Sequence, residues 1–254
     1  MKSRHEAAKL MPYARRVFDA IKPACVKCTI AGSLRRRAEF VSDFEIVALP
    51  IREVALIGEG DDYPELNRVI GELIASDVIK LDMETPRNGP LHKRFIMRLP
   101  EPGIVFELFV TRPDNWGNLL AIRTGDELFS KALVRRHADG GLMPAGMVER
   151  GGFLWAHPGP EFPVPPDTVR ELVRDRWSIV SCPTEQDFFA ALGVSMPAPE
   201  KRTAIEANRL HGEQRARAVL TPPVKGPDAP DHDDFVDQVF AIFGGRISPD
   251  EDAL

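Results

Sequence analysis

Between residues 5 and 22 the apolar positions Leu10, Ala14, Val17, Phe18 and Ile21 recur at helical spacing and stop at Pro23, which predicts an amphipathic helix. The pattern then becomes strand-like over Lys27–Ala31 and runs into Gly32-Ser33. A short helix is expected after Ser33, and Phe44–Leu49 is apolar enough for a buried strand. A second amphipathic helix is predicted over Tyr63–Ser76, capped by Asp61 or Asp62, with Pro64 in its first turn and Leu66, Val69, Ile70, Leu73 and Ile74 facing inward. Three strand-like runs follow, Val78–Met83, Arg94–Leu99 and Ile104–Val110. This order predicts an α+β arrangement, a mixed sheet carrying helices rather than a regular βαβ repeat.

Beyond Arg112-Pro113 the texture changes. Asp114 can cap a helix over Asn115–Ile122, Thr124-Gly125 breaks it, and Asp126–His137 makes the next. Glycines punctuate a hairpin around Met147–Trp155, and a proline-rich stretch follows it. Then come a helix over Thr168–Trp177, a strand near Ser178–Ser181, and a short helix from Thr184, with Asp187 three residues on, to Gly193. Residues 1–112 are therefore assigned to a first domain and 113–202 to a smaller α+β domain. Residues 203–254 are assigned to a tail that is helix-compatible over 203–220 and proline-rich over 221–231. At its end Phe235, Val239 and Phe240 or Phe243 stand at helical spacing among acids. They could dock on the body or on a protein partner, with a disordered solubilising tail as the alternative.

Composition narrows the class. A chain of 254 residues that is 43% hydrophobic and 28% charged can bury a real core as one large domain or two small ones. No apolar stretch approaches a membrane span and the N-terminus lacks a signal-peptide core. No membrane partner is expected, and the chain is expected to be intracellular, cytoplasmic if bacterial or viral. The three cysteines, Cys25, Cys28 and Cys182, cannot all pair, which fits a reducing compartment. Cys25 and Cys28 have the spacing of a zinc or redox pair. No second such pair follows, and they fall where a strand begins, so packing is expected of them. The net charge of −5 is uneven: residues 228–254 carry eight acids against one arginine, and the rest of the chain is mildly basic. That permits nucleic-acid binding without requiring it.

The candidate chemistry lies in GSLRRRAEFVSDFE, residues 32–45. Gly32 lets the backbone approach a phosphate, and Ser33 offers a hydroxyl and an amide at an expected helix N-terminus. Arg35, Arg36 and Arg37 can neutralise triphosphate oxygens. Asp43 and Glu45 stand at i and i+2, so a strand turns both to one face, where they can share a divalent metal. In Ile104–Val110 the single carboxylate, Glu107, is costly unless it is paired or binds metal. It either completes a three-carboxylate cluster from a neighbouring strand or pairs with a buried arginine.

With these residues in view the chain resembles the catalytic part of family X DNA polymerases, the polymerase β-like branch of the nucleotidyltransferase superfamily. AGSLRR with SDFEIV resembles the palm's Gly-Ser motif and paired metal acids. FELFVTRPDNWGNLLAIRTGDELFSKAL resembles the third metal acid, the connecting helix and the Thr-Gly turn with its following helix. GLMPAGMVERGGFLW resembles the hairpin of the small terminal domain, and PTEQDFFAALGVSMPAPEKR its C-terminal helix and Pro-x-Pro ending. The match spans roughly residues 5–202. It implies a nucleotidyltransferase palm followed by a small nucleotide- and DNA-contacting domain, acting as a monomer on a nucleoside triphosphate and primer-template or gapped DNA.

The resemblance further implies that Asp43, Glu45 and Glu107 bind two magnesium ions, with manganese as the alternative, and carry the catalysis. Gly32, Ser33 and Arg36 would cradle the outgoing phosphates, Thr124 and Gly125 would line the sugar, and Ser130 would take the minor-groove contact position. Lys131 would face the template base, and Arg123 is counted with it as DNA-contacting. The chain departs from the family in carrying glutamate at two of three metal positions, Ile122-Arg123 where an aromatic pair is usual, and Ser130 where asparagine is usual. No further DNA-binding domain precedes the palm in this sequence, so grip on DNA is expected from the two domains, from the basic stretch Lys201–Arg217, or from a partner. The expected reaction is gap-filling synthesis. The rivals are a transferase that modifies a small molecule or protein, and a catalytically silent nucleic-acid-binding protein.

Overall fold

The computed structural model describes residues 4–52, 63–98, 103–159 and 165–220. The expected caps Asp61 and Asp62, Leu99 and the acidic tail from 221 lie outside these residues. The first domain is built on five strands: β2 (Cys25–Ile30), β4 (Asp43–Pro50), β5 (Ile79–Leu81), β6 (His92–Met97) and β7 (Val105–Val110). Their spatial order is β2-β4-β7-β6-β5, with β4 and β7 parallel and every other neighbour antiparallel. The mixed sheet expected from the alternation is therefore present.

Its two faces are covered differently. Phe44, Ile46 and Ala48 on β4, with Phe106, Leu108 and Val110 on β7, pack under α1 (Ala7–Ile21) and α3 (Pro64–Ala75). The stripe Leu10, Ala14, Val17, Phe18 and Ile21 is buried as predicted, and so are Leu66, Val69, Ile70 and Leu73. Ile74 is 37% exposed, because it lies one helical step round from Leu73 and off the inward stripe. On the opposite face Val47, Leu49 and Phe109 pack beneath Trp116, Leu119 and Leu120 of α4 (Trp116–Thr124).

Several boundaries move by a turn or less. Residues His5–Glu6 leave the first predicted helix to form β1, which pairs with β3 (Phe40–Val41). The strand expected at Arg94–Leu99 begins two residues earlier, at His92. The helix expected over Asp126–His137 is α5 (Glu127–Val134), and Asp126 is its cap, accepting a 2.8 Å bond from Phe129 N. Between the sheet and this region, α2 is a single turn, Gly32–Arg35.

The second domain is a three-stranded antiparallel sheet of β8 (Met147–Arg150), β9 (Phe153–Ala156) and β10 (Ser178–Val180) with helices beside it. The predicted hairpin is there, and Ser178–Val180 joins it as a third strand. Helices α6 (Val169–Arg174) and α7 (Glu185–Ala191) both start in capping boxes, Thr168 with Glu171 and Thr184 with Asp187. Helix α8 (Ala204–Leu220) belongs to this domain rather than to a tail. Its Ala207 and Leu210 enter the core beside Phe129, Leu133, Phe188 and Phe189, and Gln214 Nε2 donates to the carbonyls of Leu142, at 2.8 Å, and Leu192. The sequence hides this because the inward stripe is short on a helix otherwise rich in charge.

An ion cluster closes the two domains on each other. Arg35, at the end of α2, donates through both terminal nitrogens to Glu185 at 2.8 and 2.6 Å, and Arg202 donates to the same carboxylate. The Arg202 side chain is 1% exposed and that of Glu185 12%. Within the second domain the packing beside this cluster is close: Gly117 N donates to Cys182 O at 2.7 Å, and a Cβ on Gly117 would overlap Thr184 O. Removing one member of a buried charge cluster leaves the others unpaired, so Glu185→Ala is expected to cost about 3–5 kcal/mol in urea unfolding. Burial raises the Glu185 pKa, but the two arginines outweigh it and hold it below 4.5. The stabilisation is therefore present above about pH 4.5 and lost as pH falls through the lowered value. The stability gap between wild type and Glu185→Gln should narrow in acid, and a gap independent of pH would contradict the pairing.

Candidate functional site

On β4 the residues that share the α4-facing side read Asp43, Glu45, Val47, Leu49, and on β7 they read Val105, Glu107, Phe109. Each strand turns from acidic to apolar where α4 begins to cover it. The parallel register sets Glu45 directly beside Glu107 and Asp43 beside Val105, so the three carboxylates stand on one uncovered patch of the sheet. A cleft of about 690 Å³ opens there between the two domains. Asp43, Glu45, Ser33, Arg36, Arg123, Gly125, Ser130, Lys131 and Glu149 line it, and Glu107 is set back from it.

Charge runs in a row across the sheet. Arg94 lies opposite Glu107 on β6 and donates to it at 2.9 Å, while its Nε donates to Asp82 at 2.7 Å. His92 stacks on Phe109 with ring centroids 4.4 Å apart and brings Nε2 to 3.5 Å from Glu107. Burial works to raise the Glu107 pKa, yet His92 and Arg94 prevail and hold it at about 2. The arginine partner weighed as the alternative role for Glu107 is thus present, and it is Arg94.

Glu45 is in the opposite state. Desolvation, with repulsion from Asp43 and Glu107, outweighs attraction to Arg123 and Arg36 and pushes its carboxyl up to about 8. Gly32 makes that position available: its φ is +62°, and a Cβ there would overlap Glu45 Oε2. Gly32 therefore serves as the floor beneath Glu45.

The other expected site residues divide. Ser33 lines the cleft. Arg36 reaches it too, with Nη1 donating to the carbonyls of Thr124 and Gly125 at 2.7 and 2.8 Å, so it holds the turn while facing the cavity. Arg123 lies flat on Phe109, its guanidinium carbon 3.9 Å from the ring centroid. Ser130 Oγ donates to Ile122 O at 2.5 Å, and Lys131 pairs with Glu127 at 2.5 Å on the exposed rim. Thr124 is displaced from its expected role: its hydroxyl is buried, accepts from Arg35 at 2.6 Å and donates to Leu120 O. It can meet a ligand through its backbone only.

Two expectations for basic residues are corrected. Arg35 serves the interdomain cluster instead of phosphate, because Glu185 reaches it first. Arg37 sits on the exterior with Glu200 at 3.1 Å. In the stretch 201–217, Arg202 is buried and Arg209 is held by Glu206 and Glu213, while Lys201 and Arg215 stay exposed. Conversely, Glu149 on β8 went unrecognised. Its carboxylate accepts from Gly152 N at 3.0 Å and lines the cleft, with burial raising its pKa. Its place is set by Asn115 and Asn118, whose amides donate to Gly152 O at 3.1 and 2.8 Å. Nothing local in Val-Glu-Arg-Gly-Gly signals this.

A hard divalent cation such as magnesium takes oxygen donors. Asp43 and Glu45 supply oxygen ligands alone, and Glu45 is desolvated with Asp43 and Glu107 beside it, an environment whose cost a bound cation would offset; both fit magnesium. Glu107 is held by Arg94, and among the described residues no three His, Cys, Asp or Glu side chains are arranged around one metal position. The pair fits, and the third carboxylate would join it only by turning from Arg94.

A carboxyl held at about 8 in the folded chain and at 4.5 in the unfolded chain costs nothing below pH 4.5, where both states are protonated. It destabilises the fold increasingly as pH rises toward 8. In chelator, Glu45→Gln should therefore raise Tm above about pH 8 and change it little near pH 4. Gly32→Ala should lower Tm at both values, since the added methyl meets Glu45 whatever its charge. A lower Tm for Glu45→Gln at high pH would show that the carboxylate stabilises the fold.

No family model matches this chain, and no curated protein matches it in sequence. Among solved structures it is similar to a crystal structure of Leishmania infantum polymerase beta in a ternary P/T complex, with a TM-score of 0.59 and 18% identity over 79% of this chain and 77% of that one. The chain thus has a mixed-sheet α+β fold similar to that of the polymerase β-like nucleotidyltransferases.

Proposed function

We propose that this chain is a magnesium-dependent nucleotidyltransferase that adds nucleotides to a nucleic-acid 3′ end, as in gap-filling synthesis, with manganese as the alternative metal. The observation that carries it is the sheet face that changes from apolar to acidic at Asp43, Glu45 and Glu107, of which Asp43 and Glu45 open to a cleft lined by Arg36, Arg123 and Lys131. The similarity to a polymerase beta of known structure supports the same reading. Carboxylates that gather a cation next to guanidinium groups that accept phosphate are the two parts that phosphoryl transfer needs, because positioning and charge neutralisation do most of the work.

Asp43 and Glu45 would hold the metal, with Glu107 as a third ligand once released from Arg94. Bound magnesium would supply charge stabilisation at the transferring phosphate and lower the pKa of the attacking hydroxyl. Ser33, Arg36 and the backbone at Gly32 would receive the triphosphate, the Thr124-Gly125 backbone would pack on the sugar, and Arg123, Ser130 and Lys131 would face the nucleic acid. The Glu107–Arg94 pair favours one rival, a nucleic-acid-binding protein without catalysis.

Primer extension with labelled nucleotides separates these readings. Incorporation on gapped duplex in magnesium is expected, with deoxy- and ribonucleotides run separately and with and without template. Binding of gapped DNA without incorporation would favour the silent protein. Asp43→Asn and Glu107→Gln should each lower turnover by about a hundredfold or more with the fold intact. Near-normal turnover in either would dismiss that residue as a ligand. Since Glu45 holds a proton below about pH 8, magnesium binding measured by calorimetry should tighten as pH rises through that value and release a proton. In Glu45→Gln that dependence should vanish; binding that ignores pH in the wild type would remove Glu45 from the site.

A further inference from the structure

Cys25 and Cys28 lie away from the cleft, on β2 at the edge of the sheet. Residues three apart in an unbroken strand point to opposite faces. Here the register is interrupted: Cys25 stands opposite Pro50, Lys27 opposite Leu49 and Cys28 opposite Ala48, which leaves Val26 as the extra residue of a bulge. Pro50 and Ala48 share a face of β4, so the bulge turns both thiols to the same side. Burial follows the bulge: Val26 is 66% exposed and Lys27 exposed, while Cys25 and Cys28 are half-buried against the core beneath α1. The two thiols hydrogen-bond each other, and Cys25 Sγ also donates to Ile21 O at 3.5 Å.

The surroundings are electropositive and open. Cys28 forms part of the wall of a second cavity, about 270 Å³, with Met11, Arg15, Phe18 and Leu34. Arg15 shares that wall with Cys28, and Lys22 is near enough for its charge to act on the Cys28 thiol. The third cysteine, Cys182, is wholly buried in the core of the second domain, and burial pushes its thiol up to about 12.

We infer that Cys25 and Cys28 are a reversible dithiol–disulfide couple, oxidised by a small anionic disulfide that approaches past Arg15 and Lys22. The shared hydrogen bond sets their roles. Donation from Cys28 holds the Cys25 thiol below its usual value against the effect of burial, whereas the same bond and burial raise Cys28. Cys25, as thiolate, attacks one sulfur of the external disulfide; that S–S bond breaks and the departing thiolate takes up a proton. Cys28 then gives its proton to solvent and attacks Cys25 Sγ of the mixed disulfide, expelling the second small thiolate, which is protonated in turn. The two protein thiols are oxidised and the external disulfide is reduced to two thiols.

Oxidised glutathione is a suitable probe, applied to the full chain and followed by alkylation of the remaining thiols and peptide mass spectrometry. The expected product is an internal Cys25–Cys28 bond, lighter by two hydrogens and reversed by dithiothreitol, with Cys182 alkylated only after denaturation. Cys28→Ser should stop at glutathione on Cys25, and Cys25→Ser should react about tenfold more slowly. The proposal is overturned if both thiols of the wild type stay open to alkylation at glutathione excess, if separate glutathiones accumulate without an internal bond, or if Cys182 reacts first. This readout needs neither nucleotide nor metal, so it stands apart from the test of nucleotide transfer.

Discussion

Two carboxylates side by side in a sheet repel each other, and the parallel register of β4 and β7 imposes that arrangement on Glu45 and Glu107. The neighbouring features offset it. Arg94 and His92 continue the row and offset the charge of Glu107, while Asp82 takes the other side of Arg94. Glu45, left with partial compensation from Arg123 and Arg36, keeps a proton up to about pH 8. Gly32 must lack a side chain because Glu45 occupies that space. A chain optimised for stability would place an apolar pair at these positions, as it does two residues further along, at Val47 and Phe109. An arrangement that is unfavourable without a cation is the expected condition of a site that binds one.

The second wall of the cleft is brought in by the arginines after Gly32-Ser33. Arg35 ties the single turn of α2 to Glu185 and Arg202, and Arg36 holds the carbonyls at Thr124-Gly125. Both domains are thereby anchored to the same turn that carries Ser33. Arg123 lies against Phe109, whose other neighbour, His92, touches Glu107. Helix α4 is thereby linked to both glutamates, to Glu45 through the charge of Arg123 and to Glu107 through Phe109 and His92.

Much of this was legible along the chain. Helical stripes at Leu10–Ile21 and Leu66–Leu73, the caps Thr168 and Thr184, the hairpin before Trp155 and the one-faced pair Asp43 and Glu45 all depend on spacing within a few residues, and each stands where the spacing puts it. Glu107 was recognisable as an anomaly, a lone acid in an apolar strand, but its two candidate roles could not be separated. Helix α8 was misassigned, since a stripe of Ala207 and Leu210 is too short to announce a core helix.

Sequence by itself therefore determined which segments become helix or strand, which faces are apolar, and that a phosphate-type turn precedes two acids on one strand face. These properties follow from side-chain periodicity and local sterics. Only the tertiary structure decided how charges are partnered: that Arg35 belongs to Glu185, Arg36 to the Thr124-Gly125 turn and Arg94 to Glu107, and that Glu149 reaches the same cleft. Coulombic pairing depends on distance in space, and residues such as Arg35 and Glu185, 150 positions apart, carry no mark of each other in the chain.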